Sequence, residues 1–168
     1  MATTSPSSSS IRGVPRVGDE IENPLTGERI AFLITASESN GELLELDDIW
    51  TRPGQRAAPH IHPHMQERWE VISGRAAFQI GEEFYETAPG DVVVADPGVP
   101  HLAWNSGKEP THLRIQLRPA LRWELFIERL FELSREAHSS GAPSPSAARL
   151  GVILREFREE IQLAQLPI

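Results

Sequence analysis

The sequence predicts an all-β sandwich or barrel followed by two α-helices. Three observations carry this. Turn signals rich in Gly and Pro recur through the middle of the chain at the roughly 8–12-residue spacing of short strands. The runs between them are short and apolar or alternate between apolar and polar. Beyond about residue 120, apolar residues instead recur at the three-to-four-residue spacing of a helix.

Residues 1–18 are rich in Ser and Thr, with neither a charged start nor an apolar run, so they read as a disordered polar tail rather than a secretory signal. Residues 19–119 form the β unit. The first strand, Arg29–Thr35, comes after a Pro24–Gly27 turn, and Asn40–Gly41 leads into Glu42–Trp50. Arg68–Ile72 ends at Ser73–Gly74, Ala76–Ile80 at Gly81, and Phe84–Thr87 at Pro89–Gly90. Val92–Ala95 ends at Pro97–Gly98, and Leu113–Arg118 at Pro119. Residues 120–168 hold a helical pair. Leu121–Ala137 gathers Leu125, Ile127, Leu130, Phe131 and Leu133 on one face. A second helix over roughly 147–164, capped by Ser146, aligns Leu150, Ile153, Leu154, Phe157, Ile161 and Ala164. Both helices are expected to pack on the barrel or on a dimer partner. A lid over the barrel mouth is the alternative.

The length suits one domain with a real core. The net charge of −8, with Lys108 as the single lysine, argues against nucleic acid or an anionic membrane surface as partner. No apolar run approaches the roughly 20 residues of a membrane span. Without cysteine, any metal must be held by imidazole and carboxylate, and a reducing cytoplasm is the expected location.

Such ligands are present. His60 and His62 share a strand face if that segment is extended, as Pro59 and Pro63 favour. Glu67 opens the next strand, so two neighbouring strands present two imidazoles and one carboxylate. His101 is expected from a distant strand, brought close by closure of the barrel. This donor set suits Fe(II), Mn(II), Ni(II), Cu(II), Co(II) or Zn(II). His64 has the right parity but comes directly after Pro63 and reads as a neighbour of the site. His112 and His138 read as surface residues.

Gly54, His60, His62, Glu67 and Gly74 match every fixed position of the first cupin signature, and Gly90–Asn105 resembles the second, with Asp96 where that signature has proline. The chain therefore resembles the cupin superfamily over roughly residues 42–119. The resemblance implies a small jelly-roll barrel, one divalent transition metal on His60, His62, Glu67 and His101, and a homodimer. Around the metal, parity turns Trp69 and Val71 inward from Glu67, and Ala103 and Asn105 inward from His101, with Asn105 fixing a turn. His64, Phe78, Arg114 and Gln116 are further candidates for the substrate pocket beside Trp69, and Trp50 is another. The function expected is a metal-dependent enzyme on a small organic molecule, dioxygenase-like or isomerase-like. A non-catalytic binding or sensing module is the alternative.

Overall fold

A computed structural model of the protein describes residues 13–55 and 57–166. The first twelve residues of the expected tail lie outside this range. Its last six are partly tied down: Arg16 N donates to Asp19 Oδ2, and Gly18 N donates to Phe32 O.

The strands are β1 (Glu20–Asn23), β2 (Glu28–Ile34), β3 (Leu44–Trp50), β4 (His60–Ile61), β5 (Gln66–Ser73) and β6 (Ala76–Ile80). They continue as β7 (Glu83–Glu86), β8 (Val92–Ala95), β9 (His101–Asn105) and β10 (Thr111–Arg118). Helices α1 (Trp123–Ser139) and α2 (Ala147–Glu156) come next, then β11 (Gln162–Leu163). One sheet runs β1-β2-β3-β10-β5-β8 and the other β11-β4-β9-β6-β7, with every pair antiparallel. The two sheets do not close into one continuous barrel. They form the two layers of a jelly roll, and their inner faces make one core.

Alternation builds that core. β3 and β10 bury every second residue, so Leu44, Leu46, Leu113, Ile115 and Leu117 point inward. Phe78 and Ala103 meet them from the other sheet. α1 buries Trp123, Phe126, Ile127 and Phe131 in the same core. α1 thus packs on the β unit of its own chain, while α2 buries no residue fully and lays Ile153 and Leu154, partly buried, against the same core.

Two strands carry no sequence signal. β1 has Ile21 as its single apolar residue, and β11 is two residues long. The second helix is also shorter than its apolar stripe. It ends at Glu156, with Phe157 in a non-helical conformation, and the chain then turns so that Leu163 pairs with His60. Phe157 and Ile161 remain buried, so the stripe continues across a break that periodicity cannot register. Ser146 caps α2 as expected, accepting from Arg149 N.

Gly74 turns β5 into β6 at φ 79°, and a Cβ there would sit 2.5 Å from Pro110 O and 2.8 Å from Thr111 Cα. Both are backbone atoms and cannot move aside cheaply. Gly74→Ala is expected to destabilise the fold by about 2–4 kcal/mol, read from the urea midpoint.

Candidate metal centre

His60 stands on β4 and its Cα pairs directly with that of His101 at the start of β9. His101 is therefore an adjacent cross-strand partner, not a residue brought from a distant strand. Glu67 lies on β5 in the opposite sheet, so β4 and β5 are not neighbours. The cluster bridges the two layers. One donor atom from each of His60, His62, Glu67 and His101 lies within 4.8 Å of the others, and all four residues are buried.

Backbone carbonyls orient the three imidazoles. The Nδ1 atoms of His60, His62 and His101 lie 2.7, 2.7 and 2.9 Å from the oxygens of Ala58, Glu160 and Val99. A carbonyl only accepts, so each Nδ1 carries a proton, and a neutral ring then has its lone pair on Nε2. These pairs converge. His62 Nε2 is 2.8 Å from Glu67 Oε2, and His101 Nε2 is 3.2 Å from the same oxygen. His101 Nε2 is buried without a hydrogen-bond partner. Lone pairs facing a carboxylate in a dry site are relieved by a proton on Nε2 or by a cation held among the donors. The donor set fits a divalent first-row ion on His60, His62, Glu67 and His101, with the backbone carbonyls behind the rings fixing their tautomers.

Within the cluster the imidazoles and the carboxylate shift one another. Burial, then the charges of His101 and His62, push His60 down to about 3, so it is a neutral ligand at neutral pH. Burial alone would raise Glu67, but His62 and His101 hold it below the usual carboxylate range. Burial would lower His101, and the Glu67 carboxylate more than offsets it.

The C-terminal segment completes the surroundings of His62. Its ring meets the edge of Trp123 at 4.6 Å between centroids. Glu160, whose carbonyl accepts from His62, is buried, and its carboxylate takes two hydrogen bonds from Arg122 at 2.9 and 3.1 Å. Arg122 also lies over the Phe157 ring.

A cavity of about 580 Å³ opens onto the cluster. Its wall includes Trp69 and Trp50, with Phe126, Ile127 and Phe131 of α1. Four expectations are corrected. Phe78 is fully buried core against Trp69. His64 is exposed and paired with Glu159, because the chain turns at Pro63. Arg114 and Gln116 lie on the outer face of β10, bound to Asp47 and Glu45 of β3. Their strand parity opposes that of buried Leu113, Ile115 and Leu117. Asn105 fixes a turn, donating to Glu109 O and accepting from Gly107 N.

Glu28 and Asp48 line the cavity and carry no motif. Their signal was parity: Asp48 falls in the inward row with Leu44, Leu46 and Trp50, where an acid is out of place. Burial pushes Glu28 up to about 7. The folded chain then binds more protons than the unfolded chain between the ordinary value and about 7. Stability therefore falls as pH rises through that window. Glu28→Gln is expected to raise Tm by a few degrees at about pH 8 and to match the wild type near about pH 5.

Two facing antiparallel sheets with three imidazoles and a carboxylate between them define a jelly-roll protein built around a metal-type site. The cupin domain family model matches residues 51–116, which include all four donors. The match places a cupin domain at residues 51–116 of the chain. The chain is 31% identical over 65 residues to the mannose-1-phosphate guanylyltransferase RfbM of Salmonella typhimurium, a match covering 39% of this chain but only 14% of that enzyme. A predicted oxalate decarboxylase from Thermotoga maritima is similar in structure, at TM-score 0.52 and 20% identity, over 60% of this chain and 90% of that one. An RmlC-like cupin from Shewanella frigidimarina matches at TM-score 0.50 and 22% identity, over 60% and 83%. These structures share the fold. No described helix is long and apolar enough to cross a membrane.

Proposed function

We propose that this cupin is a metal-dependent enzyme acting on a small, largely apolar organic molecule bearing a carbonyl or hydroxyl group. The observation that carries the reading is a cavity of about 580 Å³ lined by His60, His101 and Glu67 of the four-donor cluster. A bound metal would supply Lewis acidity toward substrate oxygens. The chain's own residues do the rest. Ala58, Val99 and Glu160 carbonyls hold the imidazole rings in place. Trp69, Trp123 and Phe126 enclose the apolar body of the substrate and exclude water. The lining is largely apolar, which suits a substrate with an apolar body.

Both isomerase-like and dioxygenase-like chemistry are compatible with this arrangement. The test is elemental analysis of untagged protein purified without chelator, followed by turnover assays on hydroxyketones, diketones and catechols, with and without oxygen. Close to one transition metal per chain with turnover supports the reading. Failure to take up any divalent ion overturns it. Ligand-dependent thermal stabilisation without product would assign a binding module instead. A cytoplasmic homodimer is the expected setting, and the half-exposed Val92 and Val94 on edge strand β8 support self-association.

A further inference from the structure

β2 and β3 place two carboxyl groups on the wall of the cavity that the metal cluster also lines. Ile30 pairs with Asp48, which sets Glu28 diagonally across from Asp48 on the same inward face. Asp48 is 4% exposed, and its Oδ2 accepts from Trp50 Nε1 at 2.8 Å. Its Oδ1 is buried and takes no hydrogen bond from any described N–H or hydroxyl group. The β2–β3 register sets the Glu28 carboxyl beside that of Asp48, and the charge of Glu28 raises Asp48. Two carboxylates so placed repel unless a proton lies between them. A proton on Asp48 Oδ1, donated to Glu28, satisfies both.

The fold does not need this pair. The same inward rows are otherwise apolar, with Ile30 and Phe32 on β2 and Leu44 and Leu46 on β3. A matched apolar pair there would avoid the cost of burying two acids. Glu28 is half-buried and faces the cavity, whereas Asp48 is fully enclosed. One carboxyl is thus within reach of a bound molecule and the other supports it.

We propose that Glu28, held by Asp48, accepts a proton from the carbon next to a carbonyl in a substrate bound at the His60–His62–Glu67–His101 cluster. The C–H bond breaks, its proton moves to a Glu28 carboxylate oxygen, and the electron pair stays on the substrate as an enolate. Where that carbon bears a hydroxyl group the intermediate is an enediolate: the hydroxyl proton passes to the former carbonyl oxygen, Glu28 returns its proton to the former carbonyl carbon, and the isomerisation is complete with no oxidant. Glu28 touches the substrate, and Asp48 acts through Glu28 as a positioning residue. Burial and the neighbouring charge of Glu28 push Asp48 well up, so it keeps its proton while Glu28 titrates at about 7, near the optimum for proton transfer at neutral pH. The other titratable groups lining the cavity are His60, Glu67 and His101.

The inference rests on the proposed metal-dependent activity, and one experiment separates the two. The full-length chain is loaded with each candidate divalent ion and its metal content is measured. It is then incubated with 2-hydroxyacetophenone in deuterium oxide, and loss of the methylene proton signal is monitored by NMR. The wild type is expected to exchange that position faster than buffer containing the free ion. Glu28→Gln should slow exchange by at least about 100-fold at equal metal content and an unchanged unfolding temperature near pH 5. Glu28→Asp, which withdraws the carboxyl group, should fall between. Asp48→Ala should move the midpoint of the pH–rate profile upward, because the Glu28 carboxylate loses a donated hydrogen bond. Asp48→Asn, whose amide still donates, should restore it. Equal exchange by the wild type and Glu28→Gln overturns the inference, as does a loaded wild type no faster than buffer. A chain that takes up no metal overturns the functional reading, and the inference with it.

Discussion

His101→Ala is expected to abolish tight metal binding while leaving a folded chain. The imidazole is 1% exposed and its Nε2 points into the cluster without a hydrogen-bond partner. Its position is set twice, by the cross-strand pairing with His60 and by the Nδ1 bond to Val99 O. Removing it deletes a donor that nothing nearby can replace. Affinity should fall by more than about 100-fold, which is the upper range for losing only a supporting partner of a ligand. The apolar core around Leu113, Phe78 and Val71 is untouched, so the cooperative unfolding transition should survive. Competition with a chromophoric chelator reads the affinity. Full occupancy in this variant would show that the ligand assignment is wrong. In the wild type, chelation should lower Tm, since a ligand bound only by the folded state stabilises it by mass action.

Deleting residues from Phe157 onward should have the largest effect on stability and should also weaken the site. Phe157 is 1% exposed and packs against Phe126, and Ile161 is 7% exposed. Burial lost at Phe157 alone costs about 3–5 kcal/mol. The deletion also removes β11 from the edge of its sheet and strands Arg122 without Glu160. The carbonyl that accepts from His62 Nδ1 disappears as well. Loss of one such orienting partner typically costs about 10–100-fold in metal affinity. Phe157→Ala separates the two effects: it should lose stability and keep most metal affinity. A truncated chain with unchanged Tm and metal content would show that the segment only rests on the surface.

Much of the site was legible because its residues obey local rules. His60 and His62 alternate between prolines, and Glu67 and His101 stand at fixed distances from glycines that set turns. Which sheet each ligand occupies was not legible, because strand order is decided by long-range pairing rather than by spacing. That is why His101 proved to be His60's neighbour and Glu67 came from the opposite layer. The polar face of β10 showed the limit of parity. Alternation correctly separated Arg114 and Gln116 from Leu113 and Ile115, but it could not say which face met the cavity. The Asp47 and Glu45 partners that hold them outside sit on β3, far away in sequence. Asp48 stood out only by its place in the inward row of β3, and only pairing of β2 with β3 brings Glu28 to it.

The Glu160 carbonyl on His62 also has a consequence for biosynthesis. The ribosome completes the last ligand, His101, well before it adds the residue that orients His62. At about 5–20 residues per second, the interval from His101 to Glu160 is on the order of 3–12 s. During that time the nascent chain holds its donors without the fixed tautomer at His62. Metal affinity of a chain that stops short of Glu160 is therefore expected to lie below that of a chain that includes it.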